Sequence, residues 1–321
     1  MGEAKLASSS PDPIGPVRPL RIGVFGTGAM GRNHVRNLAA LPEADLVGLY
    51  DPNPETAAAV AQEFGVRVFA SAEELAAGLD AAVLAAPTLA HVELGCALLD
   101  RGLHLLVEKP LAASLAEADR LLARCRGQVL AVGHIEFFNP AVQSLLGAGI
   151  PPRFIEVQRL GIFSPRSLDV DVILDLMIHD FQILHALDPA PVREIRATGI
   201  AVLSSRIDIA NVRIELESGC VANLTASRVS AERVRRLRVF GPNRYYSLDY
   251  QAQEIRGFRL DESEGKRRIL PDDLPLEKAE PLRRELEAFL AACRGEPAPI
   301  VDGESARQAL ATALAVVEAI R

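Results

Sequence analysis

Several features that would place a chain in a familiar structural class are missing from this sequence. Only four cysteines occur, none in a Cys-x-x-Cys pair and none beside a histidine cluster at metal-ligand spacing, so we expect neither a disulfide framework nor a metal site. The net charge is -7, which provides no general attraction to nucleic acid or to an acidic membrane. No apolar run reaches the roughly 18 residues of a membrane span. These absences predict a cytoplasmic protein with reduced thiols, whose partners are neither nucleic acid nor membrane.

The length and the composition indicate two domains. A chain of 321 residues exceeds the usual size of one domain, and its 49% of apolar residues suffices for a sizeable core. Residues 1–19 are rich in Pro and Ser and lack the apolar core of a signal peptide, so we predict a disordered lead-in. We place a first domain over 20–140 and a second over 141–321, whose last helices could pack back on the first.

The first half of the chain alternates short apolar strands with helical segments. Runs of this kind, separated by helices, predict a parallel sheet covered on both faces, which is a doubly wound domain. The predicted strands read "LRIGVFG", "ADLVGLYD", "DAAVLAAP", "HLLVEKP" and "QVLAVGH".

A glycine-rich turn follows the first predicted strand and opens a helix. It comprises Gly26, Thr27, Gly28, Ala29, Met30 and Gly31. In such a turn Gly26 permits the tight bend, Gly28 lets a pyrophosphate approach the backbone, and Gly31 lets the helix pack closely on the strand. Asp51 ends the second strand twenty residues after Gly31, where a carboxylate binds ribose hydroxyls and repels a 2′-phosphate. The pattern predicts NAD in preference to NADP; the alternative is a structural turn in which Asp51 caps the next helix.

The fourth predicted strand ends in two adjacent opposite charges, Glu108 and Lys109, followed by Pro110. Ligands bind beyond the carboxyl ends of parallel strands, so we expect this charge pair to face a cleft. Pro110 favours an extended backbone at Lys109, which would help to aim its side chain. The alternative is a solvated surface pair, which explains poorly why the charges end an apolar strand.

The stretch "DVDVILDLMIHD", residues 169–180, carries a second candidate group. Asp175 and His179 are four residues apart on a predicted helix and should share one face, so that the carboxylate orients the imidazole. A histidine near its ordinary pKa can move a proton at neutral pH. The alternatives are a core histidine without chemistry and a metal ligand; the stretch offers no second histidine at metal spacing.

The second half reads as a mostly antiparallel sheet followed by two amphipathic helices. Arginine suits an anionic substrate because its planar guanidinium matches phosphate, and Arg159, Arg166 and Arg228 are the candidates for this role. A further set is interpreted as one solvated strand edge, namely Arg233, Arg235, Arg236 and Arg238.

Four stretches together resemble the Gfo/Idh/MocA oxidoreductase family. They are "GVFGTGAMGRNHVRNL", "AAPTLAHVELGCALLDRGLHLLVEKPLA", "VGHIEFFNPAV" and "DLMIHD". The resemblance implies an N-terminal Rossmann domain and a C-terminal α/β domain built on a large open sheet. It places Lys109, with Glu108 beside it, near the nicotinamide, and makes Asp175 and His179 the catalytic pair. It also places four residues near the nicotinamide ribose, namely Ala86, Pro87, Thr88 and His91.

The chain departs from the family pattern at two points. Relatives often have a glycine triplet where this chain has Asp169-Val170-Asp171, and an Arg where it has Phe137. We assign no role to Phe137.

The resemblance implies NAD-dependent oxidation of a secondary sugar alcohol. His179 would take the hydroxyl proton, Lys109 would stabilise the alkoxide, and Asp175 would orient His179; the family allows the first two roles to be exchanged. Within the family the motifs look most like those of nucleotide-sugar dehydrogenases. This implies UDP-N-acetylglucosamine, oxidised at its 3-hydroxyl, as substrate, an aminotransferase of lipid A biosynthesis as downstream partner, and a homodimer or homotetramer formed through the open sheet. A dehydrogenase of another sugar or of inositol, and a non-enzymatic NAD-binding regulator, stay open.

Overall fold

The computed structural model describes residues 18–163, 170–263 and 266–320. Most of the predicted lead-in lies outside these ranges, and so do Arg166 and Asp169. The described residues form two sheets, one with five strands and one with eight. Within them no helix combines the length and the apolarity that a bilayer crossing needs.

The first sheet is parallel, and its strand order is β2-β1-β3-β4-β5. Its strands are β1 (Leu20–Phe25), β2 (Ala44–Tyr50), β3 (Ala81–Leu84), β4 (His104–Glu108) and β5 (Leu130–Gly133). The connecting helices are α1 (Ala29–Leu38), α2 (Pro54–Phe64), α3 (Ala72–Ala76), α4 (Thr88–Asp100) and α5 (Leu115–Leu122). A short 3₁₀ helix, Ile135–Phe138, and α6 (Pro140–Gly147) lead to the second sheet. The predicted doubly wound arrangement is confirmed.

The second sheet has the strand order β13-β12-β11-β10-β6-β9-β8-β7, and every neighbouring pair is antiparallel except β6 with β9. Its strands are β6 (Phe154–Leu160), β7 (Val192–Ile200), β8 (Ile209–Leu216), β9 (Val221–Ser227), β10 (Val234–Gly241), β11 (Arg244–Asp249), β12 (Glu254–Asp261) and β13 (Arg268–Pro271). β12 and β13 were not among the predicted strands, because apolar and polar residues do not alternate regularly along them. The mostly antiparallel open sheet is confirmed.

Helices cover one face of the second sheet and leave the other open. Along β8, Ala210, Val212 and Ile214 are buried, whereas Asn211 and Arg213 between them are exposed. The covering layer contains α7 (Ile178–Leu187) and α9 (Gly303–Ile320). The open face is therefore a surface with polar and aromatic side chains.

The last part of the chain returns to the first sheet. Four residues of α8 (Pro281–Cys293) join the apolar cluster around β1, namely Leu282, Leu286, Phe289 and Leu290. Val132 on β5 donates its N–H to the carbonyl of Val301 at 2.8 Å, and Asp302 forms an antiparallel bridge with Ala131. The C-terminal segment thus completes both the core and the edge of the first sheet.

The segment predicted as one helix over 169–180 has a different geometry. Ile173–Met177 form a π-helical turn, in which the N–H of Ile178 bonds to the carbonyl of Ile173, and α7 begins only at Ile178. A π-helical turn holds one more residue than an α-helical turn and is frequent at functional sites. The α-helical spacing that predicts one shared face for Asp175 and His179 therefore does not apply to this turn.

Candidate active site

The glycine turn between β1 and α1 has the shape of a phosphate cradle. Gly26 has a φ of +94°, and a Cβ there would lie 2.6 Å from the carbonyl oxygen of Ala85. A Cβ on Gly31 would lie 2.0 Å from the carbonyl oxygen of Gly26, so only glycine permits this helix to start so close to the strand. Gly28 has open space above it and begins α1 without a side-chain cap, which leaves backbone N–H groups available to a phosphate. These residues fit a dinucleotide pyrophosphate.

Asp51 is oriented towards this cradle by hydrogen bonds. One carboxylate oxygen accepts from the N–H and the hydroxyl of Thr27, at 2.7 and 2.9 Å, and the other accepts from the N–H of Asn53 at 2.8 Å. The N-cap of α2 is Asn53, whose side chain accepts from Glu55 and Thr56, so Asp51 is not the capping residue. The carboxylate is held beside the turn, where the ribose of a bound dinucleotide would lie.

The turn after β3 includes Ala86, Pro87 and Thr88 and lies at the same edge of the sheet. His91 packs beneath it and is 1% exposed; its ring nitrogens face the carbonyl oxygens of Ala86 at 2.9 Å and Pro110 at 3.0 Å. The imidazole therefore ties the β3 and β4 loops together. The ring is enclosed, and the position of His91 near the nicotinamide ribose stays a prediction.

Glu108 does not face the cleft beside Lys109. Successive side chains of a strand point to opposite faces, and the Glu108 carboxylate turns inward to accept from His34 Nε2 at 2.7 Å. The residue is 7% exposed. The prediction that Glu108 faces the cleft is therefore wrong, because the side chain contributes to the core under α1; a contact of this residue with the cofactor stays a prediction.

Glu108 is part of a buried cluster with His34 of α1 and Glu285 of α8, whose nearest polar atoms lie within 4.8 Å of one another. Neither carboxylate oxygen of Glu285 has a hydrogen-bond partner among the described residues. Burial, reinforced by the charge of Glu108, raises the pKa of Glu285 well above its ordinary value. A proton on Glu285 removes one negative charge from this cluster with no metal, and the absence of a metal stays a prediction.

Lys109 reaches from the end of β4 to the π-helical turn. Its Nζ donates to the main-chain oxygen of Asp175 at 2.7 Å and to the Asp175 carboxylate at 3.1 Å. The two side chains are 20% and 26% exposed, so the pair stands at the border of the solvent. Asp175 therefore positions Lys109. The prediction that Asp175 orients His179 is wrong, because its carboxylate is hydrogen-bonded to the ammonium of Lys109.

His179 meets a second histidine instead of a carboxylate. The ring of His134, which follows β5, lies edge-on to the ring of His179, with 5.5 Å between the centroids. Within the described part of the chain, neither nitrogen of His134 has a hydrogen-bond partner, and Nδ1 of His179 has none. Buried imidazoles usually have partners, so these atoms are suited to a substrate hydroxyl or to water.

The electrostatics keep both imidazoles neutral. Burial, with added repulsion from Lys109 and His134, lowers the pKa of His179 well below its ordinary value. Burial and the charge of Lys109 lower the pKa of His134 to about 3. A neutral imidazole can accept a proton, and the ammonium of Lys109 can stabilise an oxyanion. His134 was not among the predicted site residues, although it lies in the quoted "VGHIE" stretch. A lone histidine after a strand has no neighbouring residue in the sequence that indicates a catalytic role.

Arg159 is not a substrate ligand, contrary to the prediction. Its guanidinium is bidentate to Asp180, at 2.6 and 2.8 Å, and also donates to Glu136 at 2.8 Å. The residue is 1% exposed. Burial alone would lower its pKa, but the two carboxylates outweigh this effect and raise the pKa of Arg159 well above its ordinary value. Arg159 instead fixes α7 to β6 directly beside His179.

Arg228 lies under the start of the π-helical segment. Its Nε is 3.6 Å from a carboxylate oxygen of Asp208, and its guanidinium also donates to the carbonyl of Val170. These contacts account for the guanidinium without a ligand, and its contact with a substrate stays a prediction. Arg166 lies outside the described residues.

Three features define an NAD-dependent oxidoreductase. They are the glycine cradle, the oriented Asp51, and the joint position of Lys109, His134 and His179 at the carboxyl edge of the first sheet. A family model described as an oxidoreductase family with an NAD-binding Rossmann fold matches residues 20–134. UDP-N-acetylglucosamine 3-dehydrogenase of Acidithiobacillus ferrooxidans is 39% identical over 306 residues, which are 94% of this chain and 97% of that protein. The chain belongs to the Gfo/Idh/MocA oxidoreductase family.

A solved structure of the same A. ferrooxidans enzyme, GnnA, matches with a TM-score of 0.88 and covers 95% of this chain and 98% of that one. Myo-inositol dehydrogenase Hyg17 of Streptomyces leeuwenhoekii is 32% identical over 228 residues, which are 65% of this chain and 70% of that protein. The chain is therefore an NAD-dependent dehydrogenase that acts on a CH–OH group, and the reading as a non-enzymatic regulator falls away.

Proposed function

We propose that the protein oxidises the 3-hydroxyl of UDP-N-acetylglucosamine to the 3-keto sugar with NAD as hydride acceptor. The observation that carries the proposal is the similarity to the A. ferrooxidans enzyme, at 39% identity over nearly the full length of both chains. The structural match, with a TM-score of 0.88, extends over both sheets and so includes the sheet that would bind the sugar nucleotide.

In this proposal the chain's own residues hold the sugar and move one proton. Bound NAD would rest on the cradle formed by residues 26–31 and on Asp51, and it supplies the acceptor for the hydride that leaves C3. Ala86, Pro87 and Thr88 stay our prediction for the nicotinamide ribose. The 3-hydroxyl would lie between Lys109 and His179. Lys109, fixed by Asp175, stabilises the alkoxide by a charge-assisted hydrogen bond.

His179 accepts the hydroxyl proton in this scheme. Its lowered pKa keeps the imidazole neutral before the reaction, and negative charge developing on the sugar oxygen raises that pKa again. His134 would support the neutral state of its neighbour and offer a further hydrogen-bonding atom to the sugar.

The test is a panel of alcohols assayed for NADH formation with purified protein. We expect NADH with UDP-N-acetylglucosamine and little with free N-acetylglucosamine, glucose or myo-inositol. Because the keto sugar could be disfavoured at equilibrium, the assay includes a carbonyl trap such as hydroxylamine. The similarity to Hyg17 makes an inositol the second candidate, and NADH formed from myo-inositol alone would decide for it.

The downstream partner and the setting are part of the proposal. A 3-keto sugar nucleotide is a substrate for transamination, so we propose an aminotransferase of lipid A biosynthesis as the next enzyme. We propose a cytoplasmic location, because NAD and nucleotide sugars are cytoplasmic metabolites and because Cys96, Cys125, Cys220 and Cys293 are free thiols. The division of the chain near residue 140 also stays a proposal.

The open face of the second sheet is our proposed site of homo-oligomer formation. Phe154, Phe240 and Tyr245 form an aromatic row on this face, with ring centroids 5.6 and 4.8 Å apart, and Phe258 beyond them is 43% exposed. Aromatic clusters within a polar surface are typical of subunit contacts. Sedimentation should show a dimer or tetramer that Phe258→Glu weakens.

A further inference from the structure

Arg235 of β10 lies on the covered face of the second sheet, close to the catalytic histidines. It has the same strand parity as Leu237 and Val239, which are both 1% exposed, and its own side chain is 36% exposed. Its charge is among those that act on His179. The interpretation of Arg235 as part of a solvated strand edge is therefore wrong, and a partly exposed cation stands beside the site.

Arg235 is paired in register with another arginine, Arg159 of β6. Like charges directly opposite each other on neighbouring strands are destabilising. Both guanidiniums donate from Nη1 to the same oxygen of Glu136 at 2.8 Å, but Arg159 is also held by Asp180. Burial alone would raise the pKa of Glu136; the charges of Arg159 and Arg235 reverse this effect and lower it. Among the described residues, Nε and Nη2 of Arg235 have no partner.

Arg235 opens into a cavity of about 350 Å³. Its lining includes Glu136, Asn139, Arg235, Tyr250, Gln251 and Gln253. The Tyr250 residue is 4% exposed, and its hydroxyl has no hydrogen-bond partner in the described part of the chain. The side-chain amides of Asn139 and Gln253 are already hydrogen-bonded to the main chain, so the partly exposed guanidinium of Arg235 and the buried Tyr250 hydroxyl are the groups that this polar hollow offers to a ligand.

We infer that Arg235 and this cavity bind the diphosphate of the sugar-nucleotide substrate. The inference rests on the proposed function. The diphosphate is attached to C1 of the sugar, two carbons from the oxidised C3, so its binding group must lie within one sugar ring of Lys109 and His179. A chain of contacts connects the cavity to these groups: Glu136 in its wall follows His134 by two residues and accepts from both Arg235 and Arg159, and Arg159 is also bonded to Asp180, which follows His179. The planar fork of arginine suits phosphate oxygens, and the two free donor atoms of Arg235 are those that such contacts need.

The test compares Arg235→Met with Arg236→Met. Arg236 is the adjacent residue, exposed on the opposite face of the same strand, and provides the control. With inhibition of NADH formation as readout, Arg235→Met should weaken competitive inhibition by UDP by roughly 10- to 100-fold and raise KM for the sugar nucleotide similarly. Inhibition by uridine, the affinity for NAD and the effects of Arg236→Met should stay unchanged. Arg235→Lys should give an intermediate loss, because it keeps the charge and loses the fork.

The outcomes separate this inference from the proposed function. If the wild-type protein oxidises UDP-N-acetylglucosamine and Arg235→Met binds UDP as tightly as wild type, the phosphate site is refuted and the function stands. If the wild type binds UDP through Arg235 but forms NADH only from another alcohol, the function is refuted. Arg235→Met removes one of two opposed like charges and leaves Glu136 paired with Arg159, so we expect it to fold. An unchanged melting temperature would show that Arg235→Met is folded. If the melting temperature of Arg235→Met is lowered, Arg235→Lys replaces it in the comparison with Arg236→Met.

Discussion

Lys109 donates from its ammonium to both the main-chain oxygen and the carboxylate of Asp175, at 2.7 and 3.1 Å, and so joins the first sheet to the π-helical turn. The carbonyl that accepts this bond belongs to the π-helical turn Ile173–Met177. The position of the ammonium is therefore set by elements of both halves of the protein.

Replacing Lys109 by Met should abolish most turnover without removing the cofactor site. We expect kcat to fall by roughly 10²- to 10⁴-fold, the range for loss of an acid–base or oxyanion-stabilising group, with an unchanged Kd for NAD. Asp175→Asn should lower kcat by about 10- to 100-fold, since one charge-assisted hydrogen bond to Lys109 is weakened and the main-chain bond is kept. Lys278→Met, at an exposed position, is the control. Near-normal turnover in Lys109→Met would end the mechanism.

The pH profile should have no limb at the ordinary pKa of histidine. Because the pKa of His179 is lowered, its imidazole is protonated only well below pH 6.5, and kcat/KM should stay level as the pH falls through that value. His134→Phe keeps the burial that is the main cause of the lowered pKa of His179, so its kcat/KM should also stay level as the pH falls through 6.5. His179→Ala should abolish turnover. An acidic limb near 6.5 in the wild type would show that the histidine pair is not neutral.

Asp51 should decide between the two nicotinamide cofactors. Asp51→Ala removes the carboxylate that binds the ribose hydroxyls and repels a 2′-phosphate, so KM for NAD should rise by roughly 10- to 100-fold and activity with NADP should increase. The ratio of kcat/KM for NAD to that for NADP is the measurement. Asp45→Ala, at the other end of β2, is the matched control. An unchanged ratio would remove Asp51 from the cofactor site.

Glu285 should make the protein less stable as the pH rises. The unfolded chain loses the proton near the ordinary pKa of Glu, whereas the folded protein keeps it on Glu285, so stability falls between these two pKa values as the pH increases. Glu285→Gln removes this dependence and should gain up to about 1.4 kcal/mol per pH unit over the wild type in that window. Urea unfolding at pH 6 and pH 8 measures the difference. Glu287→Gln, exposed on the same helix, should show none.

A lower stability of Glu285→Gln at both pH values would contradict the protonated state. It would indicate that the ionised carboxylate is held by a cation, and it would overturn the expectation of a protein without metal. The same variant therefore tests the cluster of His34, Glu108 and Glu285 in both respects.

The local part of this fold and site could be predicted from the sequence, because the signals lie within a few residues of one another. The glycine turn, Asp51 and the alternation of strands and helices are of this kind. The partner of Asp175 could not be predicted in this way, since Lys109 is 66 residues away and follows β4 of the first sheet. The π-helical turn was also hidden, because five residues are too few for their apolar spacing to distinguish a π-helical turn from an α-helical one.

The position of Arg235 on the covered face of β10 could have been predicted from the sequence. Leu237 and Val239 mark the covered face of β10, and strand alternation places Arg235 on that face and Arg236 and Arg238 on the other. Glu285 is a second such case. It lies three residues after Leu282 and four before Phe289, so helical spacing places its carboxyl group on the apolar face of α8.

The bridge between Ala131 and Asp302 affects how the protein matures. β5 is the outermost strand of its sheet, and until residues 301–302 are synthesised it exposes unpaired N–H and C=O groups. The apolar surface under α8 is uncovered over the same interval. A nascent chain that ends near residue 134 would therefore expose an unpaired strand edge and an apolar surface to neighbouring molecules. The first-translated half of the protein completes its fold only when translation is almost complete.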